Sequence, residues 1–405
     1  SADEEPAFTS IAFPYMGYTM MRDGWDQDSL ALFFMGSYKT SGHINADVNG
    51  VQVVAYGRPL LVYAGVPTYG YEGYLKVAPP NFATYVSEPS SHKINTVLVD
   101  GWSQKREEQK APTSVTGSLW HSSERFDFTQ RVYDGGYRKC VPPSNRLEAD
   151  HSVTHERAVW FVKPAKLWIV ADTMRNSGEE TRAYSQVWNF PPRVDEEKRP
   201  VHGFAEDEVG FDAEARRIST SDPGAPNVHL YHFGVDEITY EKYYGETEPT
   251  VIEPAGEGQN PVLGWYARFI ADAVPAVDVH ATWRGGPGAS TLITVIAPSP
   301  TETSPVAEAN EVPGGFELTL TDGQKIGFAI ADETRELTAL GVSLQAESLL
   351  MHSGEAVTGI ALGGESDYEF EVRDGEPVPT QQITAPTGFA WVETPEGIAP
   401  EYHPE

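Results

Sequence analysis

The sequence predicts an all-β protein, with a large antiparallel β-sandwich followed by a smaller β-sandwich domain. Three observations carry this expectation. Along most of its 405 residues the hydrophobic period is two rather than 3.6, the mark of strands with one buried face. The apolar segments are rich in β-branched and aromatic residues, with 9 Trp, 19 Tyr and 17 Phe, which favour pleated, packed surfaces. Finally, 37 Gly and 31 Pro punctuate the chain often enough to separate short strands.

In chain order, residues 51–65 (VQVVAYGRPLLVYAG) read as two strands around a turn at Gly57, Arg58 and Pro59. Segments 94–101, 125–133, 158–164, 166–174 and 184–190 follow, each apolar and bounded by polar or turn-forming residues. Later strands are expected at 216–221, 228–234, 289–298 and 315–322. One helix is expected, over residues 26–34 (DQDSLALFF), whose acidic start suits a helix N-terminus. Residues 298–312 (PSPTETSPVAEANEV) lack an apolar period and mark a boundary. The division is therefore a large sandwich over 1–300, a smaller one over 301–385 and a Pro-rich tail over 386–405. No repeat of fixed period is visible, which disfavours propellers and solenoids.

Composition excludes several function classes. There are 29 Lys and Arg against 59 Asp and Glu, a net charge of −30, so neither nucleic acid nor an anionic membrane is an expected partner. The apolar runs are too short for a membrane-spanning helix. A single cysteine, Cys140, rules out a disulfide within the chain and any multi-cysteine zinc site. P-loop, dinucleotide-binding and His-Glu-x-x-His patterns are missing, as is a Gly-x-Ser-x-Gly elbow. The opening Ser1, in SADEEPAF, reads as a processed start, and a secreted or periplasmic location is expected.

Residues 41–50 (SGHINADVNG) are the most informative stretch. On a strand, His43, Asn45, Asp47 and Asn49 would share one face, with Ile44, Ala46 and Val48 on the other. An imidazole with a carboxylate four residues away on one face can have its tautomer fixed, directly or through Asn45. The same pattern also suits a polar edge strand whose Asn and Asp side chains satisfy neighbouring loops. Tyr69, Tyr71 and Tyr74, in TYGYEGYL, are candidates for stacking on sugars or for packing over a sandwich edge. Arg22 could meet a substrate carboxylate or pair with Asp23 or Asp26. Arg131, Arg138, Lys139, Arg146 and Arg157, with His151 and His155, form the densest basic interval.

Five segments in order, YMGYTMMRDGW (15–25), HINADVN (43–49), AYGRPLLVYAG (55–65), INTVLVDGWSQ (94–104) and HERAVWFVKPAKLWIVAD (155–172), resemble the β-sandwich region of heparinase II/III-type polysaccharide lyases. The resemblance covers roughly residues 15–190. It implies β-elimination at uronic acid residues of an anionic polysaccharide, with His43, the family's first strand histidine, as base or as donor neutralising the substrate carboxylate. Asn45, Asp47, Asn49, Tyr69, Tyr71 and Arg22 are then candidate substrate-binding residues.

Two departures qualify this. The positions that supply metal ligands in the family hold Asn45, Tyr63 and Ile94, so no metal or other cofactor is expected there. His92 could rejoin His43 and Asp47 in a new three-ligand site, but direct hydrogen bonding by Asn45 and Tyr63 is the expected replacement. The family's catalytic tyrosine and its carboxylate neutralisers lie on an N-terminal α/α toroid, for which this chain has no room. The resemblance therefore implies a helical toroid partner, on the same precursor or on another chain. Two further readings stay open: a non-catalytic carbohydrate-binding or assembly module, and a uronate C5-epimerase.

Overall fold

The computed structural model describes residues 5–13, 17–36, 46–65, 91–105, 118–138, 149–197, 200–248, 262–269, 272–383, 388–394 and 397–403. His43, Asn45, Tyr69, Tyr71, Tyr74, Lys139, Cys140 and Arg146 lie outside the described residues. The protein is all-β and layered. Its central layer is an antiparallel eight-stranded sheet. In order across the sheet the strands are Val209–Asp212, Arg217–Thr220, Asn227–Phe233, Gly288–Ser299, Leu167–Asn176, Val153–Val162, Phe126–Tyr133 and Ser118–Ser122.

Both faces of this sheet are covered, which explains why its middle strands read as continuous apolar runs. Val159, Phe161, Trp168, Val170 and Ile296 point to one side. There they pack against the consecutive five-stranded N-terminal sheet (Ile11–Phe13 to Arg58–Leu61) through Leu32, Phe34 and Val53. On the same side lies a four-stranded sheet ordered Thr239–Tyr244, Val277–Gly285, Arg182–Asn189, Val97–Val99. It contributes Trp188, Tyr240, Val279 and Ala281 to the same core. The opposite face, with Phe128, Trp160, Ile169 and Val295, packs on Phe316, Phe328 and Leu350 of a C-terminal seven-stranded meander, Val306–Val312 to Glu376–Gln382. Within that meander the long hairpin Lys325–Ala339/Val342–Ser353 shifts register between Ile330 and Arg335. Its end closes a second core of Ala329, Leu337, Ala346, Leu349 and Phe370. A buried His121–Glu369 contact of 2.6 Å joins the meander to the central sheet.

Three local expectations are corrected. Residues 26–34 do not form a helix. Ser29 N–H bonds to Asp26 O (3.1 Å) and Leu30 N–H to Asp23 Oδ1 (2.7 Å), making a tight turn into the strand Ala31–Met35. The period-two burial of Leu30, Leu32 and Phe34 then outweighs helix propensity. Residues 46–49 are a turn rather than part of a strand, closed by Gly50 N–H to Asp47 O at 3.0 Å. Asn49 takes a left-handed φ of 64° there. The linker is also shorter than expected, because Val306–Val312 is an edge strand whose exposed Glu308 and Glu311 hide its pairing and guard a free edge. In the Pro-rich tail, Gly388–Thr394 and Gly397–His403 pair as a hairpin.

Between the central and four-stranded sheets, the apolar interior is interrupted by a polar knot centred on Asp172. Asp172 accepts four N–H groups: His155 Nε2 (2.6 Å), Arg157 Nε (2.6 Å), Arg157 Nη2 (2.9 Å) and Gln186 Nε2 (2.7 Å). Burial alone would raise this carboxyl, but Arg157 and His155 outweigh it and hold it well below the usual carboxylate range. Asp172→Ala, which strands Arg157 without a counter-charge, is expected to cost about 3–5 kcal/mol. Urea titration measures this, and a loss below about 1 kcal/mol would contradict the assignment.

Candidate functional site

The knot reaches outward through Arg157. Its Nη1 donates to the carbonyls of Asn49 (2.6 Å) and Asn95 (2.5 Å), fixing two turns that flank the strand Gly50–Ala55. Ser91 Oγ donates to Ala46 O (2.6 Å), while Gln104 exchanges two hydrogen bonds with the backbone of Val48 (2.7 and 3.0 Å). The chain that follows His43 is thus pinned against the short 3-10 turn Ser91–Lys93, which carries His92. Asn49 is fully buried, and its amide donates to the carbonyls of His155 (3.1 Å) and Arg131 (3.4 Å). It shapes the turn and has no surface for a sugar, a correction to its expected role. Among the described residues 46–49, Asp47, partly exposed, keeps a side chain available.

Asp47 lies close enough to Tyr63 to affect it. Burial raises the Tyr63 phenol, and the Asp47 charge raises it further. Burial pushes Asp47 itself up to about 6, against a backbone hydrogen bond within the residue. His92 is held neutral, its pKa brought down to about 3 by burial despite a bond to the Gly101 backbone. The His92 and His280 ring centroids are 6.5 Å apart.

His280 leads onto a second set of groups. In the strand Val277–Gly285, residues 277, 279 and 281 face the core, so 278, 280 and 282 face outward. Across the ladders, Asp278 pairs with Tyr243 and Asn189, and His280 with Glu241 and Val187. The outer face of the four-stranded sheet is therefore polar, yet Asp278 and His280 are only 4% and 1% exposed. Among the described residues, the covering loops include Gly264, whose N–H donates to Asp278 Oδ2 at 2.7 Å. Burial pushes Asp278 up to about 8, partly offset by that bond, and brings His280 down to about 3, helped by His92. Tyr243 meets the His280 ring edge-on at 5.0 Å. At neutral pH the face thus presents a protonated carboxyl, two neutral imidazoles and phenols. Sequence reading missed Asp278, His280 and Tyr243. The signal was there: VDVHATW has the same apolar/polar alternation that drew attention to residues 43–49.

The other candidates fall elsewhere. Arg22 lies over the Trp25 ring at 4.2 Å and donates to Gly24 O at 3.0 Å. Through Ala31 it is in register with Val54, at the far end of the strand from Gly50, so it does not join Asp47 and His92. Arg131, Arg138, His155 and Arg157 are buried, which makes the described part of the basic interval architectural; His151 is exposed. Among the described residues no group of three or more His, Cys, Asp or Glu is placed to hold a metal.

The inherited metal position does not fit zinc. Ile94 is buried, offers no lone pair and fills the space beside Gly50, where an added Cβ would lie 2.5 Å from its methyl. Tyr63 keeps its proton. Asn95 ties the neighbouring segments together; the hydrogen bonding expected of Asn45 lies outside the described residues. Asn95 donates to Val51 O (2.8 Å) and Val62 O (3.1 Å) and accepts from Asn189 N–H (2.7 Å).

A family model described as heparinase II/III-like, C-terminal, matches residues 5–264. The chain belongs to this family. It is similar in fold to the heparan sulfate lyase HepC from Pedobacter heparinus, at 14% identity and a TM-score of 0.56 over 84% of this chain and 44% of that one. A heparinase III is similar at 15% identity and a TM-score of 0.53, over 86% of this chain and 43% of that one. This heparinase-like chain thus spans under half the length of either protein. No curated protein matches the sequence. No helix among the described residues is long and apolar enough to cross a membrane.

Asp278 gives a test of the outer face. Its folded pKa of about 8 lies above an unfolded value of about 3.9, so the folded state holds a proton that the unfolded state releases. Its contribution is complete below the unfolded pKa and is lost as pH rises through the folded one. In chelator-treated buffer, Asp278→Asn should therefore gain stability relative to the parent as pH rises from about 4 to about 8. Denaturant midpoints measure the gap, and a gap that is the same at both ends of that range would refute the assignment.

Proposed function

We propose that this chain is the sandwich part of a polysaccharide lyase that cleaves uronic-acid-containing polysaccharide by β-elimination. The observation that carries the reading is the family match over residues 5–264, which includes the His43 segment. In the reaction a base removes the C5 proton, the electron pair forms the C4–C5 double bond, and the C4–O bond breaks as an acid protonates the leaving oxygen. A donor must neutralise the uronate carboxylate so that C5 becomes acidic enough. His43 is assigned as base or as that donor. Asp47 and Asn45, with Tyr69 and Tyr71, are assigned to substrate contact or to orienting His43. The anchoring of Ala46 and Val48 on Ser91 and Gln104 supports this, because it gives the residues after His43 a fixed base.

The rest of the machinery is assigned to a helical toroid on the same precursor or on another chain. Two facts support that assignment. The chain spans under half the length of its structural neighbours. Its net charge of −30 also opposes an anionic polymer, and the described arginines of the basic interval are buried, which supports a cationic cleft wall supplied from elsewhere. Action on an extracellular polymer implies a secreted or periplasmic protein.

The test uses the longest native protein carrying this chain, assayed for ultraviolet absorbance of the unsaturated product on alginate, ulvan and glycosaminoglycans. His43→Ala should lower turnover by about 100-fold or more while leaving the melting temperature unchanged. Normal turnover would remove His43 from the mechanism. Binding with no new absorbance would point to a carbohydrate-binding module, and exchange of the C5 proton without chain cleavage to an epimerase.

A further inference from the structure

We propose that Asn189, Asp278 and His280 form a binding site for a divalent cation on the outer face of the four-stranded sheet. The site shares no residue with the family's metal position at 45, 63 and 94, and it stands independently of the lyase reading.

The argument begins with adjacency. Asn189 and Asp278 are direct cross-strand partners, and His280 follows Asp278 by two residues on the same face. Partners of this kind hold their Cβ atoms about 4.5–5.5 Å apart, within reach of a shared ion. Each of the three residues is at least nine-tenths buried, and each has polar atoms with no partner: Asn189 Oδ1, Asp278 Oδ1, and both ring nitrogens of His280, one of which bears a lone pair in the neutral ring. Buried polar atoms are nearly always satisfied, and a group left bare in a dry site costs free energy. Here three neighbours are left bare together, and each can offer a lone pair to a single electron-pair acceptor.

The remaining atoms of these side chains are already fixed, as the supports of a metal ligand usually are. Asp278 Oδ2 accepts the Gly264 N–H at 2.7 Å, and Asn189 Nδ2 faces Asn95 Oδ1 at 3.3 Å. The His280 ring is held against Tyr243. Burial keeps His280 neutral, the form that ligates. One imidazole with two oxygens is too few oxygens for calcium and too hard for copper(I), so the donor set favours Zn²⁺ or Mn²⁺, with water completing the shell.

The experiment titrates the metal-depleted full chain with ZnCl2, MnCl2 and CaCl2 by calorimetry in weakly buffered solution near neutral pH. Expected are one equivalent of Zn²⁺ or Mn²⁺ bound and a higher melting temperature. Asp278→Asn and His280→Leu should each weaken binding at least tenfold, whereas His43→Ala should bind as the parent does. If either site variant fails to fold, the parent titration still decides. Absence of binding by Zn²⁺ and Mn²⁺ overturns the proposal and leaves water as the occupant; so does undiminished affinity in folded Asp278→Asn. Neither readout depends on lyase activity, so failure here is distinguishable from failure of that reading.

Discussion

The guanidinium–carboxylate pair of Arg157 and Asp172 is the constraint on which the site side of this molecule depends. Both residues are fully buried on adjacent strands of the central sheet, directly opposite one another in register. An ion pair in such a place adds little net stability, because desolvating the charges offsets their attraction. Its use here is positional. With two nitrogens committed to Asp172, the third reaches the carbonyls of Asn49 and Asn95 and sets the height of both turns over the sheet. From those turns run the segment behind His43 and the strand Val97–Val99 behind His92. Asn95 then extends the same lattice to Val51, Val62 and Asn189. Amide and guanidinium hydrogen bonds thus tie these segments together.

The four-stranded sheet divides its two faces sharply. Val277, Val279 and Ala281 serve the core, while Asp278 and His280 point away from it and are nevertheless withdrawn from water. Desolvation therefore acts on groups that are polar by design rather than by accident of packing. It drives the Asp278 carboxyl toward its neutral form and the His280 and His92 imidazoles toward theirs.

Much of the fold was legible because it rests on local alternation. The strands around residues 126–133, 158–162, 167–174 and 184–189 stood out, being apolar through burial on one face or both. The failures have equally definite causes. DQDSLALFF looked helical from its acidic start, but Leu30, Leu32 and Phe34 alternate into a core supplied by distant strands. HINADVNG looked like a strand, but the turn at 46–49 is imposed by Ser91, Gln104 and Arg157, none of which is near in sequence. Asp278 and His280 were legible as a pattern but not as a site, since nothing local shows which face of a strand is covered.

The sequence by itself determined that this is an all-β, acidic chain of the heparinase II/III type, because periodicity, composition and motif order are properties of neighbouring residues. Tertiary structure alone decided which polar residues are structural and which are left without partners. The Arg157 guanidinium and the Asn49 amide nitrogen were drawn into a hydrogen-bond network, whereas Asp278 Oδ1 and both His280 ring nitrogens were buried without partners. That distinction depends on hydrogen bonds and burial contributed by segments up to more than a hundred residues away, as from Arg157 to Asn49, and spacing along the chain does not encode it.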